Sequence, residues 1–325
     1  MHGLRRYVVR RLVTLVFVIW AILTVLFVVL KTLPGDPTAI FVDSNFAPEM
    51  IAAQRAAWGL DDPLPVQYGR YLWNMLRFEF GQSFFQAVPV REIVFEKLLN
   101  TWAMVLPALL LAIALGALIG AVLGWRRGSR GEGAAVATLL AMRSAPSFFI
   151  AILLLMVFAY QLRWLPSGGM VSLDNEGEGF LAQVLTWDYL QHLVLPGLVL
   201  LSREITTPAL LLRSTMLEVR NSDFVDMLRA KGLPERRVIG HAARNAMLPL
   251  VTDVAVALAL LFEGQVLLEI IFAWPGIGRE LVNALNNLDY PIVQACFFLM
   301  ALTILLLNFV ADLLYGLIDP RVTYQ

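Results

Sequence analysis

The residues able to do chemistry in this chain fall into two groups. The first is a set of ionisable side chains embedded in apolar runs: Arg143, Glu204, Asp253, Glu263 and Glu269. A charge in hydrocarbon is costly, so such residues line polar pathways or pair with one another. Arg203 offers Glu204 a local pair. Asp253 and Glu263 stand ten residues apart, about 280° around a helix, so they form no single charged stripe. Arg143, Asp253 and Glu263 are the candidates for lining a passage. The second group is the polar segment 221–249, NSDFVDMLRAKGLPERRVIGHAARNAMLP. Hydrolytic and metal chemistry find no footing. No G-x-x-x-x-G-K precedes a Ser or Thr, and none of Lys31, Lys97 and Lys231 follows a glycine, so there is no P-loop. H-E-x-x-H, G-x-S-x-G and Cys/His clusters are also missing. His2, His192 and His241 are scattered and read as solvated or interfacial, and Cys296 lies in an apolar run. The expectation is no catalytic residue, no metal and no cofactor.

These residues sit in a chain with little polar surface. Of 325 residues, 59% are hydrophobic and 15% charged, with a mean hydropathy of +0.71. A soluble domain carries about 25% charged residues. The chain therefore reads as an all-α polytopic membrane protein. Its 25 basic and 25 acidic residues balance, so no global basic field points to nucleic acid.

A spanning helix needs about 20 apolar residues. Six candidates emerge: 12–30, 102–124, 134–160, 190–212, 246–272 and 290–311. The first is longer than a signal-peptide core and runs into LPGDP (33–37) rather than a small-residue cleavage site. Lys and Arg near span ends mark the cytoplasmic side. Arg5, Arg6, Arg10 and Arg11 precede span one. Arg126, Arg127 and Arg130 follow span two, and seven basic residues fall in 213–244. The opposite segments are acidic: 34–100 holds five basic and eight acidic residues, and 161–189 holds one and four. Six spans with both termini inside satisfy all of these. The organisation expected is a terminal segment and first span (1–33), a small external domain (34–100) and a core of five further helices (101–325). The external domain contains a helix-like piece at 48–58, a Pro-rich turn at 61–65 and the aromatics Tyr68, Tyr71, Trp73, Phe78 and Phe80. Those aromatics fit an interfacial belt or a partner surface.

The 221–249 segment reads as helix, glycine hinge, helix, between spans four and five. Ser222 is placed to cap a helix starting at Asp223, with Asp226 also near its positive end. Phe224, Val225 and Leu228 share a face. Gly232 suits the left-handed residue that closes a helix, and Pro234 with Glu235 opens the next. Arg236, Arg237, His241 and Arg244 then face the membrane. By composition alone, the segment is either a basic loop held against anionic headgroups or an element that docks a partner.

The segments AKG (230–232) and HAARNAMLP (241–249) resemble the EAA loop of the membrane subunits of bacterial ATP-binding-cassette importers, in the dipeptide/oligopeptide permease class. YVVRRL (7–12), LPGDP (33–37), RSTMLEV (213–219), EIIFAWPGIGRELVNALNNLDYPIVQ (269–294) and DPR (319–321) resemble the same class in order along the chain. Asp226-Met227-Leu228 departs from the Glu-Ala-Ala or Arg-Thr-Ala that opens the family motif. The resemblance implies a coupling loop, about 213–245, that docks into an ATPase. Phe224, Val225 and Leu228 would supply the seated face. Arg229 and Lys231 would supply rim charges, and Gly232 the turn. Asp226, Ala230, Arg236, His241, Arg244 and Asn245 belong to the same loop. It also implies a second homologous permease, two ATPase subunits, an external solute-binding protein and a bacterial inner membrane. An ion-gradient-driven secondary transporter is the alternative, although the inverted repeats that it predicts are not evident. WPGIG (274–278) reads as an interfacial Trp and a Pro-Gly turn at the external mouth, or less simply as a gate.

Overall fold

The computed structural model describes residues 2–32, 61–175, 179–250 and 265–318, and these are helical with no β-strand among them. Asp253 and Glu263, the 33–60 segment, the 251–264 stretch of span five and the terminal DPR lie outside the described residues. Among the described residues, four helical segments are long and apolar enough to cross a membrane, and a bent pair makes up to five. Two compact units are present: residues 1–99 with 276–306, and residues 100–275 with 307–323.

In the first unit, α1 (His2–Thr32) carries the apolar run Val9–Val29. Most of that run is exposed, which suits lipid. Asp61 and Asp62 form the expected turn, and α2 (Leu64–Leu76) follows it. Thr24 and Tyr68 share a hydrogen bond of 2.7 Å, and Phe27 packs on Tyr68 and Tyr71. Phe78 and Phe80 cluster with Phe95 and Phe298. The aromatic stretch is thus partly an internal core, with Tyr71 and Phe80 buried and Trp73 exposed. Close to it, α12 (Ile277–Asn286) turns at Leu288 into α13 (Tyr290–Ile318).

In the second unit, α3 (Val90–Trp125, entering from the first unit) has 36 residues, about 54 Å. It starts twelve residues before the expected span. Next comes α4 (Arg130–Ser144), then α5 (Ser147–Leu154), which runs into a π-helical turn at Leu155–Gln161. The expected third span is not one rod: α4 and α5 meet at 96°. Ala145 precedes Pro146 and is extended, at φ −73 and ψ 132, as the proline ring requires of the residue before it. A short helix, α6 (Phe180–Val184), leads to α7 (Trp187–Glu204) and α8 (Thr206–Arg220), which are joined through Ile205 into one candidate span. Arg203 Nε pairs locally with Glu204 Oε1 at 3.2 Å.

Glycines 116, 120 and 124 lie four apart on α3 and so share one face. Each meets the stretch around α8 at backbone distance. A Cβ at 116 would sit 2.8 Å from the Ile205 carbonyl oxygen, and one at 124 would sit 2.7 Å from that of Arg213. At 120 it would collide with the Ala209 carbonyl. Small residues at this spacing let helices close up in a membrane, where van der Waals packing replaces hydrophobic drive. α9 (Asp223–Ala230), α10 (Glu235–Ala246) and α11 (Gln265–Ile271) complete the unit.

WPGIG differs from the interfacial reading. Trp274 is fully buried, donates Nε1–H to the Asn100 carbonyl at 2.8 Å and stacks edge-on to Tyr189. Asn100 returns a bond to the Pro275 carbonyl. A buried indole needs a partner for its N–H, and α3 supplies it. Glu269 is buried beside this Trp and accepts from Thr101 Oγ1 at 2.6 Å. His192 is likewise buried rather than solvated, with Nδ1 2.9 Å from the Asp188 carbonyl oxygen.

Gly120→Val should destabilise the chain by about 1–3 kcal/mol through overpacking. Gly131→Ala, where a Cβ meets nothing within 4 Å, should be neutral. Thermal unfolding of the two variants in the same detergent checks both.

Candidate functional site

Two short amphipathic helices and the turn between them form the candidate site. α9 spans eight residues and α10 twelve, too short to hold a helix alone in water. Their apolar faces supply the stability. Val225, Leu228, Val238, Ala242 and Ala246 bury against Leu212 and Met216 of α8, with Phe224, Leu233 and Trp125 packed alongside. Val225 and Val238 retain no exposed surface. Burying such side chains contributes about 1.5–3 kcal/mol each. Thr215 Oγ1 of α8 adds a bond to the Ala246 carbonyl at 2.9 Å.

The structure places the expected contact face against the chain itself. Val225 and Leu228 seat on this chain's own α8, and Phe224 is half-buried on the same cluster. Val225 and Leu228 are buried there, whereas Phe224 keeps part of its surface open. The face left open carries Asp226, Met227, Arg229, Ala230, Lys231 and Gly232. Arg236, His241, Arg244 and Asn245 are exposed along α10.

The turn is closed by two bonds. Gly232 N–H donates to the Arg229 carbonyl at 2.9 Å and Leu233 N–H to that of Leu228 at 3.3 Å. This pattern, with Leu233 also packed in the cluster, is a Schellman closure. It requires a left-handed residue, and Gly232 is at φ +74. At the other end, Ser222 precedes α9 as expected, yet its hydroxyl donates back to the Val219 carbonyl at 2.6 Å and makes no cap bond. Ser hydroxyls readily take nearby carbonyls in this way.

Charged groups tie the site to its neighbours. Arg229 Nη2 donates to Glu235 Oε1 at 3.0 Å, bridging α9 to α10 across the turn. The bonded Glu235 and nearby Asp226 push its guanidinium further toward the charged form. Arg229 and Arg220 both lie over the Trp125 ring, and Arg220 Nη1 also reaches the Trp125 carbonyl at 2.7 Å. Trp125 ends α3, so the site is fastened to a candidate span by cation–π contacts. Nearby, Ser129 caps α4 by accepting from Glu132 N–H. Glu132 in turn accepts from Gly128 N–H at 2.7 Å and from Arg213 Nε of α8 at 2.8 Å. Arg143 lies elsewhere: exposed on α4, it donates to Thr207 Oγ1 at 2.7 Å.

The sequence reading singled out neither Glu132, Arg213, Trp125 nor Glu235 for these roles. Ser129 and Glu132 do carry the S-x-x-E capping signature. Nothing in the sequence announces that Trp125 receives two arginines.

Comparison with known proteins places this architecture. Residues 112–324 match the family described as binding-protein-dependent transport system inner membrane component, and residues 4–105 match its N-terminal region. The chain belongs to this family. A di/tripeptide transport system permease protein of Pseudomonas aeruginosa is 35% identical over 336 residues, covering 98% of this chain and 99% of the relative. An oligopeptide transport system permease protein of Bacillus subtilis is 33% identical over 324 residues, with the same coverage. A chain of Brucella abortus (strain 2308) assigned to peptide transport as a permease is 37% identical over 311 residues, covering 95% of this chain and 96% of its own. Membership makes this chain a multi-pass membrane permease component, and the ion-gradient alternative is not favoured.

Leu228→Ala should cost about 2–5 kcal/mol by opening a cavity under α9. Met227→Ala, on the open face, should stay within about 0.5 kcal/mol. Thermal denaturation of both variants in detergent separates the two faces.

Proposed function

We propose that this chain is the transmembrane permease subunit of an ATP-driven importer of peptides or similar small solutes. One observation carries the reading: the likeness to peptide permeases extends over 98% of this chain and 99% of the relatives' length. ATP hydrolysis falls to a separate subunit. The partners are two ATPases, a second related permease and an external solute-binding protein. The site is the bacterial plasma membrane, with both termini and the α9–α10 loop on the cytoplasmic side and six spans in all.

In this reading, α9 and its turn form the coupling lever. The open face, Asp226, Met227, Arg229, Ala230, Lys231 and Gly232, seats on the ATPase. The buried face, Val225 and Leu228, transmits the push to α8. Rim charges set orientation more than affinity. Arg236, His241, Arg244 and Asn245 flank the seat. ATP-driven closure of the ATPases moves the lever, α8 follows, and the passage alternates its access. Arg143, Asp253 and Glu263 are assigned to the polar passage. The segments 1–33, 34–100 and 101–325 are assigned as first span, external domain and core.

Two experiments test this. Gentle extraction of the tagged chain from native membranes should bring down a second permease and nucleotide-binding subunits, identified by mass spectrometry. Recovery of the chain alone removes the reading. Gly232→Asp should insert and fold but abolish uptake of a labelled dipeptide. Gly232→Asn should retain most uptake, because Asn tolerates the left-handed region better than the about 1–2 kcal/mol charged to most side chains. Full uptake by the Asp variant ends the coupling role of the turn.

A further inference from the structure

The short helix α6 and the start of α7 carry an open apolar surface. Leu181 is 72% exposed, Leu185 85% and Trp187 73%. From 180 to 190, every exposed residue is apolar: Leu181, Ala182, Leu185, Trp187 and Leu190. Val194 and Leu198 are exposed further along α7. Trp187, Leu190, Val194 and Leu198 stand at i, i+3, i+7 and i+11, which is one stripe of a helix. α7 opens a candidate membrane span at Trp187. Leu181 and Leu185 therefore extend the apolar run upstream of that span.

A loop in water and a segment seated in lipid differ in charge and in backbone satisfaction. From Phe180 to Ser202 the sequence holds a single Asp, Glu, Lys or Arg, which is Asp188. Asp188 stands off the stripe, at i, i+4, i+7 and i+11 with the buried His192, Leu195 and Val199. Its carboxylate is tied to the chain's own 172–175 loop. Oδ2 accepts from Ser172 N–H at 2.6 Å and from Asn175 Nδ2 at 2.8 Å, and Oδ1 accepts from Ser172 Oγ at 2.8 Å. His192 Nδ1 lies 3.3 Å from Oδ1. The segment's one charge is thus occupied away from the apolar stripe. The turn from α6 to α7 also satisfies itself. Thr186 Oγ1 donates to the Gln183 carbonyl at 2.7 Å and accepts from Tyr189 N–H at 3.1 Å, and Thr186 N–H donates to the same carbonyl at 3.1 Å. Internal satisfaction of the backbone is the condition for lying against hydrocarbon. A protein partner's seat carries a polar rim, whereas the exposed residues here are apolar throughout. Trp is favoured at headgroup level.

We propose that residues 180–187 lie in the interfacial layer of the bilayer, with Leu181, Leu185 and Trp187 inserted among the lipids. The partner of this face is the lipid surface itself. The segment acts as an interfacial anchor at the head of the α7–α8 span, and the bonds from Ser172 and Asn175 keep the Asp188 charge out of the inserted face. This anchor stands independently of the transport reading, because it rests on membrane residence alone.

The test places a polarity-sensitive nitrobenzoxadiazole label on Leu181→Cys or Leu185→Cys, in the purified full chain in phosphatidylcholine nanodiscs. The native Cys296 is buried and is replaced by Ala in every variant. Val16→Cys, exposed within the apolar run of α1, is the lipid reference. Gly131→Cys, where a Cβ meets nothing within 4 Å, is the water reference. Labels at 181 and 185 should emit to the blue of the 131 label. They should be quenched by lipids with a nitroxide high on the acyl chain, and less than the 131 label by a water-soluble nitroxide. Both positions are exposed, so each substitution leaves the packing intact, and either label alone decides the matter. Emission and quenching that match the 131 label overturn the proposal. A blue shift that comes only on adding a solute-binding protein, without quenching by the lipid nitroxide, overturns it equally and gives the face to a protein.

Discussion

The burial of Val225 and Val238 against Met216 is the interaction on which the rest of the second unit depends. Neither α9 nor α10 could persist as a free helix. Pressed on α8, they become a rigid projection whose outward face is set by which residues turned inward. Any displacement of this projection would be carried to α8, because the apolar contact cannot slide without exposing side chains to water. The glycine ladder of α3 extends the linkage. At 116, 120 and 124 its backbone touches the α8 stretch directly, so little side-chain slack remains to absorb motion between them.

Charge works on top of this packing. Surface ion pairs hold little by themselves, and those here gain their meaning from position. Arg229 bridges the turn to Glu235 and also covers Trp125. Arg220 covers Trp125 as well. Glu132 and Arg213 join the start of α4 to α8. Arg229 thereby ties α9 to α10 and to the end of α3, and the Glu132–Arg213 pair ties α4 to the α8 surface on which the apolar cluster seats them.

Much of this was legible in the residue order. The apolar runs located α1, α3 and α13, because hydropathy is a sum over neighbours in sequence. The Gly232 turn was legible too, since the left-handed closure has a strong residue preference. The partner of each apolar face was not. Phe224, Val225 and Leu228 read as one face, but periodicity cannot say whether that face meets its own chain or another. Trp274 read as interfacial because Trp is common there. Its true setting rests on Asn100, 174 residues away in sequence, which no local pattern encodes. The break at Ala145–Pro146 could have been read more firmly, as the proline was visible and the residue before it is restricted.

That break carries a consequence for the surroundings of α4 and α5. Pro146 has no N–H to offer the carbonyl of Met142, and the extended Ala145 swings the following amides out of line with α4. The corner therefore holds backbone oxygens with no donor inside their own helix. Hydrocarbon offers them nothing, and irregular backbone at membrane depth survives only against protein or water. Where this corner lies at membrane depth, its inside must then be a wetted or protein-lined place, a polar notch between two apolar helices.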